Sequence, residues 1–205
     1  FPDGVRAAMQ NTGNEHRTSA FAGTSCQDCH MPVVRGSDDR LRRSHAFRVL
    51  GDIKLLTSAV LGRAARSGPR SFTLTLSTVG VGHYFPTGDM FRRLELRAAA
   101  IDSRGNVVAR APAQSLMRRF VMKQVDTTAG GKPITHRIQE EDSRLEPGAK
   151  REVEFTFPME TEGLLLHWEV AYQRMGAGMA RAFDIDLARD EVVVASGELK
   201  PKGER

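Results

Sequence analysis

Phe72-Thr73-Leu74-Thr75-Leu76-Ser77-Thr78-Val79 alternates apolar and small polar residues with a period of two. Successive side chains of a strand point to opposite faces, so this spacing predicts a β-strand with one apolar face. Leu94-Glu95-Leu96-Arg97-Ala98 repeats the pattern, and Asp102-Ser103-Arg104-Gly105-Asn106 reads as a turn into Val107-Val108. Further strands are expected at 115–125, 134–139, 151–157, 164–174 and 191–197, with Pro147-Gly148 marking the turn before Arg151 to Phe155. Short strands separated by turn signals predict an antiparallel, immunoglobulin-like β-sandwich over residues 69–205. The fold class expected is mainly β.

Upstream the character of the chain changes. Residues 53–66 place Ile53, Leu56, Val60, Leu61 and Ala64 on one helical stripe, with Asp52 as N-cap and Ser67-Gly68-Pro69 as the stop. Residues 1 to about 50 are polar and rich in Gly, Ser, Arg and Asp. Such a stretch cannot pack a core unaided, so a bound group is expected to order it. The expected organisation is a cofactor-binding, irregular and helical segment over 1–68, followed by the sandwich.

Composition narrows the function classes. The net charge of +5 is mild, and the 30 basic residues are scattered, with no run of five. Nucleic-acid binding would require a basic stripe on a recognisable module, so none is expected. No apolar run approaches a membrane span. The chain begins at Phe1 without the basic, apolar and cleavage-site series of a signal peptide, and reads as a processed mature protein or part of a longer one.

Cys26-Gln27-Asp28-Cys29-His30 carries the chemistry. C-x-x-C-H is the attachment signature of c-type haem. Two thiols three positions apart on a helical turn can add to the two vinyl groups of one porphyrin, and the adjacent His30 then supplies the proximal iron ligand. The two cysteines are the only ones in the chain. A thioredoxin-like dithiol would need a βαβ context, which the polar flanks do not offer. A zinc site would need a fourth ligand, and zinc ribbons use separated cysteine pairs. One covalent haem c is therefore expected.

Ser25-Cys26-Gln27-Asp28-Cys29-His30-Met31-Pro32 resembles the C-x-D-C-H-M-P haem site of bacterial multihaem c-type cytochromes. Ser44-His45-Ala46-Phe47 is similar to a His-x-Phe element downstream of that site in the family. Gly82-His83-Tyr84-Phe85-Pro86-Thr87-Gly88-Asp89 is similar to its Gly-His-x-x-Pro-Thr-Gly element, and Asp142 to Gly148 to a later turn. The resemblance spans roughly residues 15 to 175 in the expected order. Family members usually carry several haem motifs and this chain carries one, so conduction along this chain alone is not expected.

A six-coordinate iron needs a ligand opposite His30. Met31 follows the proximal ligand directly and cannot easily reach the other face. His45 lies fifteen residues after His30 across the Gly36-Ser37-Asp38-Asp39 stretch, long enough to fold over a porphyrin, and the resemblance also favours it. His83 is the rival, at a turn between Gly82 and Phe85-Pro86. A third arrangement uses both, each for a different iron, one belonging to a neighbouring chain or segment. His16 could fold back or serve another haem, whereas His136 and His167 read as structural. Phe47, Tyr84 and Phe85 are candidates for packing at the haem edge.

The function expected is electron transfer through one bis-histidine haem within a multihaem assembly, at a lower potential than histidine–methionine ligation would give. No acid/base constellation or nucleophile motif points to catalysis. The alternatives are a haem enzyme with an open iron, and a sandwich that works as a docking or assembly module with the haem as staple. Partners would be other haem proteins or subunits of a redox complex, with an oligomer or filament possible in such an assembly. Haem attachment to thiols follows export, so a periplasmic, extracellular or cell-surface location is expected.

Overall fold

The computed structural model describes residues 8–47, 49, 51–125 and 134–202. In chain order the elements are α1 (Thr12–Arg17), α2 (Cys26–His30), β1 (Val33–Arg35), β2 (Leu41–Arg43), α3 (Ile53–Ser58), β3 (Val60–Gly68), β4 (Ser71–Thr78), β5 (Arg93–Ile101), β6 (Val107–Arg110), β7 (Gln114–Val125), β8 (Ile134–Asp142), β9 (Lys150–Thr156), β10 (Leu165–Gln173), α4 (Ala177–Ala182), α5 (Leu187–Asp190) and β11 (Val192–Leu199). Every strand pairing is antiparallel.

Two sheets form the sandwich. One has the order β3-β4-β9; the other runs β11-β10-β5-β7-β8, with β6 added to β5. The period-two pattern decides what lies between them. Phe72, Leu74 and Leu76 of β4, Val153 and Phe155 of β9, Leu94 and Leu96 of β5, and Leu166, Trp168 and Val170 of β10 are all buried in one core. Each such side chain contributes about 1.5–3 kcal/mol by leaving water. Phe72 and Phe155 face each other directly across the β4–β9 pair, with ring centres 5.1 Å apart.

Trp168 explains two glycines. A Cβ on Gly62 of β3 would lie 2.5 Å from the indole, and one on Gly197 of β11 would lie 2.6 Å from it. Only glycine lets both backbones approach the ring this closely. Arg66 then closes the edge between the sheets, donating to the carbonyls of Thr161 at 3.0 Å, Leu164 at 2.6 Å and Lys200 at 3.1 Å.

The expected strands from 72 onward are all present, and the Asp102 turn is held as its sequence implies. Asp102 Oδ1 accepts from the Arg104 N–H at 2.9 Å and the Asn106 N–H at 2.8 Å. One expectation is corrected. The helix read over 53–66 ends at Ser58, and Val60–Gly68 is a strand paired with β4. The Asp52 cap is correct, its carboxylate accepting from the Leu55 N–H at 3.0 Å. The apolar stripe misled because Val60, Gly62 and Ala64 also fit a period of two, and tertiary packing around Trp168 selects that period.

Of the described residues in 8–52, Glu15 alone is buried. This segment, expected to be irregular and helical, also contains the exposed hairpin β1–β2. No helix among the described residues is long and apolar enough to cross a membrane.

Candidate functional site

Helix α2 presents the C-x-x-C-H residues. Five residues are too few for a helix to persist on propensity alone, and polar groups at both ends compensate. Ser25 and Asp28 form a reciprocal capping box: the Asp28 N–H donates to Ser25 Oγ at 3.3 Å and the Ser25 N–H to Asp28 Oδ2 at 3.0 Å. Hydrogen bonds from the Ser25 side chain and backbone, then the Arg43 guanidinium, hold the Asp28 carboxyl below the usual carboxylate range. At the other end Arg43 of β2 donates to the carbonyls of Gln27 at 3.0 Å and Met31 at 3.3 Å. The hairpin therefore acts as a clamp on the helix. Cys26 and Cys29 are exposed free thiols on this turn.

His30, at the C-terminal end of α2, is half-buried. The Phe47 ring lies 4.9 Å from its centre, and the His83 ring lies 6.2 Å away with planes only 10° apart. Burial, and then the neighbouring His83, hold the His30 pKa below the ordinary histidine value, favouring neutral imidazole. Its Nδ1 is buried without a hydrogen-bond partner among the described residues. His83 is oriented by its own loop: Nδ1 lies 3.0 Å from the Tyr84 carbonyl. A carbonyl only accepts, so Nδ1 is the donor in this contact and Nε2 is the ring nitrogen left free of it.

The loop carrying His83 is fastened to the sandwich. Phe85 and Leu145 exchange two backbone hydrogen bonds, at 2.8 and 2.9 Å. Thus the two stretches singled out in the sequence at 82–89 and 142–148 meet in space. Phe85 packs into the core against Tyr172, with ring centres 6.1 Å apart. Tyr84 instead lies under the Arg144 guanidinium, 5.0 Å from its ring centre. Of the three aromatics considered for haem packing, Phe47 is the one beside His30.

The other histidines make no ring contact with this pair among the described residues. His45 is exposed, and its ring makes no hydrogen bond, ion pair or ring contact among the described residues. His16 is half-buried beside Gly82, where an added Cβ would come within 3.0 Å of its ring. His167 lies 3.9 Å from Glu198 at the sandwich surface. Among the described residues, no group of three or more His, Cys, Asp and Glu side chains is gathered as a metal-binding cluster.

Sequence reasoning missed Glu15. Its carboxylate lies 2.7 Å from Arg144, with side chains 4% and 5% exposed. A glutamate in a polar, glycine-rich stretch carries no signal of burial. Only the buried arginine, 129 residues away in sequence, reveals it.

No family model and no curated protein matches the sequence. Among solved structures, the chain is similar to a penta-heme cytochrome c552 from Thermochromatium tepidum, with a TM-score of 0.68 and 23% identity. That match covers 93% of this chain and 50% of the cytochrome. A beta-glucuronidase from glycoside hydrolase family 2 also matches, at a TM-score of 0.24 and 12% identity, too weakly to bear on the fold. The chain therefore has the fold of a region of a multihaem c-type cytochrome, and spans about half the length of that protein.

Proposed function

We propose that the chain is a c-type cytochrome that transfers electrons through one haem c, held by Cys26, Cys29 and His30, with His83 as the ligand opposite His30. The imidazoles of His30 and His83, 6.2 Å between centres and with nearly parallel planes, carry this reading. Imidazole nitrogen binds a first-row metal at about 2.0–2.1 Å and the ring centre lies about 1 Å behind it, so two imidazoles sharing one metal have centres about 6 Å apart. The donor set fits as well. The lowered His30 pKa favours the neutral form that ligation requires, and the Tyr84 carbonyl supplies the outer-shell bond that orients a ligating histidine. The exposed thiols on α2 are open to thioether formation.

Haem iron with two histidine ligands supplies reversible one-electron exchange between ferric and ferrous states. The protein's own contribution is positional. His30 comes from the N-terminal segment and His83 from the sandwich, so ligation ties the two parts together, and we place the division between them near residue 59. Phe47 shields one side of His30. With His83 in place no open position remains for substrate, which favours an electron carrier over a haem enzyme.

His45, left exposed, is available to an iron held outside this chain. The matched cytochrome is about twice as long and is described as penta-heme, which supports placing this chain within a larger redox assembly. Its partners would be other haem proteins or subunits. Haem attachment to thiols implies export to the periplasm or cell surface.

Mass spectrometry and a reduced-minus-oxidised spectrum of the exported protein test this. One covalent haem per chain is expected, and none after replacement of both cysteines by alanine. Wild-type protein that matures without haem in a host competent for cytochrome c assembly would overturn the proposal.

A further inference from the structure

We infer that Glu15 and Arg144 are positioning residues for His83: their buried ion pair locks the loop that presents this histidine to the segment that carries His30. The inference rests on His83 being the ligand opposite His30.

The polar contacts of the pair converge on the four residues after His83. Arg144 donates through Nη1 to the Pro86 carbonyl at 3.2 Å and lies over the Tyr84 ring, whose own backbone carbonyl orients His83. Its Nε and Nη2 donate to the two oxygens of Asp142 at 2.8 and 2.7 Å, fixing the fork from the β8 side. Nη2 also donates to Glu15 Oε1 at 2.7 Å. The second oxygen of Glu15 accepts from Thr87 Oγ1 at 2.9 Å. Because Thr87 has spent its one proton, the 2.7 Å contact between the Thr12 and Thr87 hydroxyls must have Thr12 as donor. Tyr84, Pro86 and Thr87 are thus each tied to Arg144, Glu15 or α1.

Burial alone does not explain this choice of residues. An apolar pair of similar volume would hold the fold as well or better, whereas a guanidinium fork fixes direction. Here the direction matters because α1 packs on the ligand loop itself. Gly82 lies so close to α1 and the turn after it that a Cβ would come within 2.8 Å of Phe21 and 3.0 Å of His16. A loop freed from Arg144 and Glu15 would keep its backbone pairing through Phe85 and Leu145 and the Arg92 hydrogen bond to the Thr87 carbonyl at 2.8 Å, but would lose the contacts to the Tyr84 ring, the Pro86 carbonyl and the Glu15 hold on the Thr87 hydroxyl.

Carbon monoxide titration of the ferrous holoprotein tests this, since the gas binds only when His83 leaves the iron. Glu15→Gln and Thr87→Val are each expected to raise apparent carbon monoxide affinity, by less than the about 10–100-fold that direct loss of an outer-shell partner gives, with the β-sheet circular dichroism retained. Arg144→Lys, which keeps the charge and loses the fork, should fall between wild type and Glu15→Gln. His83→Ala serves as the reference for complete release. If His83→Ala binds the gas no better than wild type, the assignment of His83 as ligand is wrong. If His83→Ala gains affinity while Glu15→Gln and Thr87→Val lose only thermal stability, the positioning role is wrong and the ligand stands. Should Glu15→Gln fail to fold, Thr87→Val, which preserves volume, decides the outcome alone.

Discussion

His30 and His83 stand 53 residues apart in sequence, yet their imidazole centres lie 6.2 Å apart with planes 10° from parallel. One comes from a short capped helix and the other from a loop fastened to the sandwich by Phe85, Leu145 and Arg144. Neither residue could hold this geometry without the sandwich behind it. The pair therefore joins the N-terminal segment to the sandwich.

Trp168 makes the sandwich sensitive at two glycines. Gly62→Val would place a branched side chain where the indole lies 2.5 Å from the new Cβ, and overpacking of this kind costs about 1–3 kcal/mol. Urea unfolding should show a lower midpoint with an unchanged slope. An unmoved midpoint would show that the indole can step aside without cost.

The period-two strands from Phe72 onward were legible because each buries one face and wets the other. β3 was not, because its inward positions include Gly62 and Ala64, whose small side chains fit a helical stripe equally well. Cys26, Cys29 and His30 stand out as a candidate haem site in the sequence because such a motif depends on local spacing alone. Which of His45 and His83 lies beside His30 stayed open, because it depends on which distant loop the sandwich brings to α2. The Gly36–Asp39 stretch and the resemblance favoured His45, which is exposed, whereas His83 lies beside His30. Glu15 shows the same limit: a buried charge is recognised by its partner, and Arg144 lies 129 residues further along the chain, just after β8.

The helix bearing the cysteines should depend on its cap. Ser25→Ala removes the oxygen that receives the Asp28 N–H, a loss of about 1 kcal/mol. Hydrogen exchange of the Asp28 amide in the holoprotein should accelerate about fivefold, the factor equivalent to 1 kcal/mol. Unchanged exchange would mean that Arg43 alone secures the turn.

Acid should weaken the outer face of the large sheet through Glu191. Burial raises its pKa, but the Arg97 fork, with oxygens at 2.8 and 2.6 Å, and Gln173 at 2.6 Å outweigh it and hold the carboxyl below its ordinary 4.5. A carboxylate depressed in the folded state stabilises the fold above its unfolded pKa and loses that effect as pH falls through the folded value. Arg97→Gln should therefore destabilise the protein at neutral pH, with the gap to wild type closing below pH 4.5. Denaturant midpoints of both proteins across that range measure it; a gap independent of pH would remove Glu191 as the cause.

Electron paramagnetic resonance of the ferric holoprotein, compared between His83→Ala and His45→Ala, bears most directly on which residue stands opposite His30. The expected result is a low-spin spectrum for wild type and His45→Ala and a high-spin spectrum for His83→Ala. A low-spin His83→Ala protein, or a high-spin signal appearing only in His45→Ala, would contradict the pairing of His30 with His83.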